Sequence, residues 1–166
     1  MKWRCRLKDS PSQECFNFCS DHARKYSISL LNHVQVMRGR AHFGVYGFME
    51  CSPSPARQPC FISVYIPGPF PYELTSLRNP LILKIQDVDL PKDAYVASRN
   101  VSVDKNEVRV SLRSKVHLCS QEEALVWIFG HEFFHYLTYT EQIDKPDTEN
   151  NADEYGNFLL EHWRSL

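Results

Sequence analysis

The part of the chain best suited to chemistry is the segment His131-Glu132-Phe133-Phe134-His135, which has the pattern H-E-x-x-H. Two histidines four residues apart on a helix project from the same side, where two imidazole nitrogens can bind one zinc ion. Glu132 is offset by one residue and can reach the open side of the metal, where it would take a proton from water. With 7 histidines and 11 glutamates in 166 residues, a chance match is expected in about 2% of such chains.

A zinc site that does chemistry needs a third protein ligand and a fourth position for water. Within residues 149–154, Glu149 and Asp153 lie four residues apart, on one face of a predicted helix. We expect Glu149 to bind the metal and Asp153 to accept a hydrogen bond from a ligand histidine, which would fix its tautomer. Asp153 and Glu154 are the alternative third ligands. Because Glu154 lies about 100° around the helix from Asp153, these two cannot both point inward.

Together, the two segments resemble the zincin metallopeptidases of gluzincin type. They are most similar to the small ImmA/IrrE-like group, whose pattern is H-E-x-x-H followed by E-x-x-A-[ND]-x-[FY]-[AG], matched here by residues 149–156. The resemblance implies zinc bound by His131, His135 and Glu149, with Glu132 as general base. It extends over residues 123–160 and lacks the third histidine found downstream in SprT-like proteases and in metzincins.

The expected function is zinc-dependent hydrolysis of peptide bonds in a peptide or protein substrate, by metal-activated water with Glu132 as general base. The alternative is a non-catalytic zinc-binding or protein-interaction domain on a zincin-like fold, because a fold does not guarantee an activity. Glu132 discriminates between them, since a binding domain needs no carboxylate at that position. Four side chains are candidate donors to the developing oxyanion: Tyr136, Tyr139, His117 and Arg113.

The composition is that of an ordinary globular domain. Hydrophobic residues make up 43% of the chain, charged residues make up 23%, and the formal net charge is −1. This balance argues against nucleic acid or a membrane surface as the main partner, and no apolar run approaches the roughly 18 residues of a membrane span. The basic N-terminal segment leads into no apolar stretch like that of a secretion signal, so we expect a cytoplasmic location.

Six cysteines are present, and we predict no disulfide framework because the chain is long and carries no export signal. Cys15, Cys19 and His22 would share one helical face and could bind a second metal with Cys5 or Cys51. The favoured interpretation is that the thiols are buried and pack as small hydrophobic side chains.

The elements that must position these residues are predicted to form one α+β, zincin-like domain over residues 1–166, with the metal site within residues 120–163. Helical spacing of apolar residues predicts one or two N-terminal helices from a cap at Ser10 to about Met37. Strands predicted at 43–49, 61–66, 81–85 and within 100–118 would form a small, mainly antiparallel sheet. A proline-rich loop is predicted at 68–79, and the strand at 107–118 could offer its edge to an extended peptide.

Two helices follow the strands and carry the candidate site. A capping box at Ser120-Gln121-Glu122-Glu123 predicts the start of the metal-bearing helix, which should fade near Thr140. The final helix is predicted to be capped by Asp147 or Thr148 and to end near Trp163. The small residues in that helix would allow close approach to its neighbour; they are Ala152 and Gly156.

Overall fold

The computed structural model describes residues 1–39, 46–52, 60–77, 81–84, 94–102 and 107–166. These residues form strands and helices in an α+β arrangement, as predicted. In chain order the elements are β1 (Lys2–Cys5), α1 (Gln13–Ala23), β2 (Leu31–Arg38), β3 (Gly47–Cys51), β4 (Cys60–Ile66), β5 (Tyr72–Leu77), β6 (Leu81–Lys84), β7 (Ala94–Ser102), β8 (Glu107–Leu118), α2 (Gln121–Tyr139) and α3 (Glu149–Arg164).

The first sheet has the strand order β1-β2-β4-β3 and lies against α2. Strands β1, β2 and β4 are parallel, and β3 runs antiparallel to β4 as an edge strand. Fully buried β-branched residues point from β2 and β4 into the core, where they meet the apolar side of α2; they are Val34, Val36, Ile62 and Val64. The prediction of a mainly antiparallel sheet is therefore wrong for this sheet, which is mostly parallel.

The second sheet is antiparallel and is built around the long strand β8. Strands β5 and β6 pair with successive parts of β8, and β7 also pairs with it over residues 107–114. Because β7 covers one side of β8 over residues 107–114 and β5 and β6 lie on the other side, the prediction that the edge of β8 could accept an extended peptide is wrong for residues 107–114. Strand β5 also lies within the segment predicted as a loop, so that prediction is wrong for Tyr72–Leu77.

The N-terminal helix is shorter than predicted. It begins after Ser12, whose side chain accepts a hydrogen bond from the Cys15 amide, and it ends at Ala23. Residues 24–30 contain turns, and the strand β2 follows at Leu31–Arg38 in place of the predicted helix. Val34 and Val36 point to one face, and parallel strands pair with β2 on both sides. The alternation of β-branched residues favours a strand over a helix here.

The six cysteines are two buried thiols, two disulfide-bonded residues and two exposed thiols, the last being Cys5 and Cys119. Cys15 and Cys19 are fully buried on α1, which confirms the interpretation of packed thiols at these positions. No disulfide framework is present among the described residues, but one disulfide that the sequence did not predict joins Cys51 and Cys60, which stand opposite each other on β3 and β4. Antiparallel neighbours at directly opposed positions bring two Cβ atoms within reach of such a bond.

Helices α2 and α3 match the predicted boundaries closely. Ser120 caps α2 by accepting from the Glu123 amide, and Thr148 caps α3 by accepting from the Asn151 amide. The helices pack against each other at Gly130 and Gly156. A Cβ on Gly156 would lie 2.9 Å from the Trp127 carbonyl oxygen. This close packing places the start of α3 beside the H-E-x-x-H segment.

Strand predictions near the middle of the chain are confirmed where they can be compared. Strand β4 coincides with the segment predicted at 61–66, and β6 with most of the segment predicted at 81–85. Strand β3 overlaps the end of the segment predicted at 43–49, and residues 43–45 lie outside the described residues. Among the described residues, no helix has the length and apolar character needed to cross a membrane.

Candidate metal centre

Three side chains from two helices converge at one point. The Nε2 atoms of His131 and His135 on α2 lie 3.3 Å apart. Glu149, the first residue of α3, places Oε2 at 3.3 Å from His131 Nε2 and Oε1 at 3.7 Å from His135 Nε2. One ligand atom from each residue lies within 4.8 Å of the other two, so the group could hold a metal ion.

These separations can be compared with what a metal requires. Tetrahedral zinc with bonds of 2.0–2.1 Å keeps neighbouring ligand atoms about 3.3 Å apart. The separation of 3.3 Å between the two Nε2 atoms matches that edge length, and the two oxygens of Glu149 lie 3.3 Å from His131 Nε2 and 3.7 Å from His135 Nε2. Two imidazole nitrogens and a carboxylate are also a donor set that zinc accepts in sites with an open fourth position. The three side chains therefore fit the expected ion.

Asp153 lies behind the first histidine. Its Oδ1 is 2.8 Å from His131 Nδ1, and the Asp153 side chain is only 8% exposed. Because an ionised carboxylate can only accept, this contact places the proton of His131 on Nδ1 and leaves Nε2 free to bind a metal. Asp153 therefore lies on the side of the ring opposite to Glu149, whereas Glu154 is exposed and does not line the pocket.

A second carboxylate occupies the corresponding place behind the other histidine. Asp147 Oδ1 lies 2.6 Å from His135 Nδ1. The sequence predicts Asp147 or Thr148 as the cap of α3, and Thr148 takes that role. The sequence separation between His135 and Asp147 does not predict this contact, because the path of the loop between α2 and α3 decides which residue lies beside the imidazole ring.

Glu132 is buried beside this cluster, with 5% of its surface exposed. Its carboxylate accepts a hydrogen bond from the Met49 backbone N–H on β3. Burial raises the pKa of Glu132 to about 7, although the two neighbouring histidines and the Met49 amide act in the opposite direction. Gly47 lies so close that a Cβ there would approach Glu132 Oε1 to 2.7 Å.

The electrostatic environment of His131 is set by its acidic neighbours. Burial by itself lowers the pKa of His131, but the hydrogen bond to Asp153 and the charges of Glu132, Asp153 and Glu149 outweigh it, so the pKa is raised. Several carboxylates around two imidazoles create a site that favours positive charge. A divalent cation would satisfy that preference.

A pocket of about 640 Å³ opens over the cluster. One wall is polar and contains the two histidines and the four carboxylates described above. The other wall is supplied mainly by β3 and the apolar side of α2; its residues are Tyr46, Gly47, Phe48, Met49, Trp127 and Ile128. The pocket therefore joins the candidate ligands to the edge strand of the first sheet.

The oxyanion donors expected from the sequence do not meet in this pocket. The Tyr136 hydroxyl is buried and donates to the Ser27 carbonyl, and Tyr139 is 53% exposed without lining the pocket. His117 lies beside Glu73 on the second sheet, and the side chain of Arg113 lies outside the described residues. Two residues that carry hydroxyl groups and were missed in the sequence, Tyr46 and Thr75, line the pocket, and the Tyr46 hydroxyl is hydrogen-bonded to that of Tyr72.

The chain matches no protein-family model, no curated protein and no solved structure. The interpretation of the site therefore depends on the chemistry and geometry of its own residues.

Proposed function

We propose that the protein is a zinc-dependent peptidase of zincin-like fold, in which His131, His135 and Glu149 bind zinc and Glu132 is the general base. The observation that carries this proposal is the convergence of one ligand atom from each of the three residues, all within 4.8 Å of one another, at an open pocket. A bound zinc ion would polarise the scissile carbonyl and lower the pKa of a coordinated water toward about 7.

Glu132 supports this proposal because a buried carboxylate has an energetic cost. A charged group with 5% exposure is retained at a site only where partners or function compensate for the lost hydration. Glu132 follows a proposed ligand directly and lines the same pocket. From there it would accept the proton of the attacking water and return it to the leaving amine. A binding module has no use for such a carboxylate.

The substrate would lie along β3. This strand ends the first sheet among the described residues, and it lines the pocket with Gly47, Phe48 and Met49. An extended peptide can add to such an edge by main-chain hydrogen bonds, which hold it without regard to side chains. The wall formed by Phe48, Trp127 and Ile128 would favour apolar side chains near the scissile bond.

Cleavage of casein or a quenched fluorescent peptide by the zinc-loaded protein tests the proposal. Replacing Glu132 with Gln keeps the shape but removes the base, so we expect a loss of about 10²- to 10⁴-fold in kcat with zinc still bound. Glu161→Gln is the matched control, because this exposed residue lies about 18 Å along α3 from Glu149. Full activity in Glu132→Gln would refute the mechanism, and zinc binding without any cleavage by the wild type would favour the non-catalytic alternative.

A further inference from the structure

Asp147 is the second acidic residue that contacts a proposed ligand. Its Oδ1 lies 2.6 Å from His135 Nδ1, and its side chain is 57% exposed. Asp153 makes the equivalent contact with His131 from a buried position, at 8% exposure. Each carboxylate can only accept, so each contact places the proton on Nδ1 and turns the unprotonated Nε2 toward the cluster.

Residues on either side of the α3 cap face the two nitrogens of the His135 ring. Asp147 precedes the cap residue Thr148 and approaches Nδ1, whereas Glu149 follows it and lies 3.7 Å from Nε2. Thr148 itself is occupied in capping, because its Oγ1 accepts from the Asn151 amide at 3.3 Å. The three consecutive residues thus have separate tasks, and only Asp147 acts on the far side of the ring.

We infer that Asp147 is a positioning residue that selects the tautomer and the ring orientation of His135 for metal binding. The inference rests on the proposed function only for the identity of the metal site, and peptide cleavage is not needed for it. Carboxylates that orient a ligand histidine change metal affinity by roughly 10- to 100-fold when they are removed. If Asp147 served only to stabilise the start of α3, its replacement would instead lower the stability of the metal-free protein.

Zinc dissociation constants, measured by competition with a chromophoric chelator, test the inference in the full chain. Asp147→Ala should weaken zinc binding by about 10-fold or more, near the lower end of that range because the contact is exposed. Asp147→Asn should weaken it less, because the amide oxygen still accepts from Nδ1. Asp144→Ala is the matched control, an exposed aspartate of the same loop that should leave the affinity unchanged.

Thermal unfolding of the metal-free variants separates positioning from folding. Weaker zinc binding by Asp147→Ala, with the unfolding midpoint of the wild type, supports the inference. It is overturned if Asp147→Ala binds zinc as tightly as wild type, if Asp144→Ala loses as much affinity, or if the metal-free midpoint falls and accounts for the loss. A wild-type protein that binds zinc but cleaves nothing would remove the peptidase proposal and leave these affinities decisive. A wild-type protein that binds no zinc would overturn both proposals.

Discussion

Gly47 and Glu132 approach each other so closely that no side chain fits between them. A Cβ on residue 47 would lie 2.7 Å from Glu132 Oε1 and 2.9 Å from a methyl carbon of Ile128. The edge strand β3 therefore touches the proposed general base directly, at a position where only glycine leaves the carboxylate in place.

Replacing Gly47 with Ala should lower peptidase activity by about 10-fold or more while zinc binding is retained. The added methyl group would displace the Glu132 carboxylate, and misplacement of a catalytic group by about 1 Å can cost 10²-fold. Steady-state cleavage and zinc content measured on the same sample check this. Gly68→Ala is the control, because its methyl group would meet only the flexible end of Arg38. Unchanged kcat in Gly47→Ala would show that Glu132 need not occupy its present position.

Replacing Gly156 with Ala should destabilise the packing of α3 on α2. The new Cβ would lie 2.9 Å from the Trp127 carbonyl oxygen, a backbone atom that cannot move away by side-chain rotation. Overpacking of this kind costs about 1–3 kcal/mol. Chemical denaturation should show this loss, with a smaller effect for Phe158→Ala, whose side chain is 53% exposed on the same helix. Equal stability of Gly156→Ala and wild type would mean that the helices separate without cost.

Removing the metal should lower the thermal midpoint of the wild type. An ion that binds only the native state stabilises it by about 2.7 kcal/mol when its concentration is 100 times Kd. Glu149→Gln should abolish most of this zinc-dependent shift, since Glu149 would be a direct ligand. Asp153→Asn should retain zinc with roughly 10- to 100-fold weaker binding. If Asp153→Asn loses the ion and Glu149→Gln keeps it, Asp153 is the metal ligand and Glu149 is not.

In the metal-free protein, the raised pKa of Glu132 favours the folded state as the pH falls below about 7. His22 should act in the opposite direction and lower the stability as the pH falls from about 6.5 to about 4. Burial lowers its pKa to about 4, and the nearby Lys25 and His162 act in the same direction. The unfolded chain then binds a proton that the folded chain excludes, so His22 lowers the free energy of unfolding as the pH falls in this window. The His22 ring also contacts the Tyr155 hydroxyl at 2.7 Å. This hydroxyl stays neutral in the same pH range, because burial raises its pKa.

Denaturation of wild type and His22→Gln at several pH values, with chelator present, measures this contribution. As the pH falls from 6.5 to 4, the free energy of unfolding of the variant should decline less, or rise more, than that of the wild type, whatever its stability at pH 8. Identical slopes for the two proteins would exclude His22 as a source. His117→Gln is the control, because it removes an exposed imidazole that lies beside Glu73 and is not among the groups that lower the His22 pKa.

The sequence by itself determined the parts of this protein that depend on short separations. Two histidines four residues apart must share a helical face, and Ser120 and Thr148 mark helix starts through bonds to amides three residues ahead. Those interactions are local, so they can be predicted without knowledge of the remaining chain.

The tertiary structure decided everything that depends on which distant segments meet. Strand pairing on both sides made Leu31–Arg38 a strand, although the spacing of apolar residues suggested a helix. Contacts between Gly47 and Glu132 and between Asp147 and His135 arise from sheet order and loop path, which no residue spacing encodes. Propensity and periodicity describe one segment at a time, whereas these contacts depend on the packing of several segments into one core.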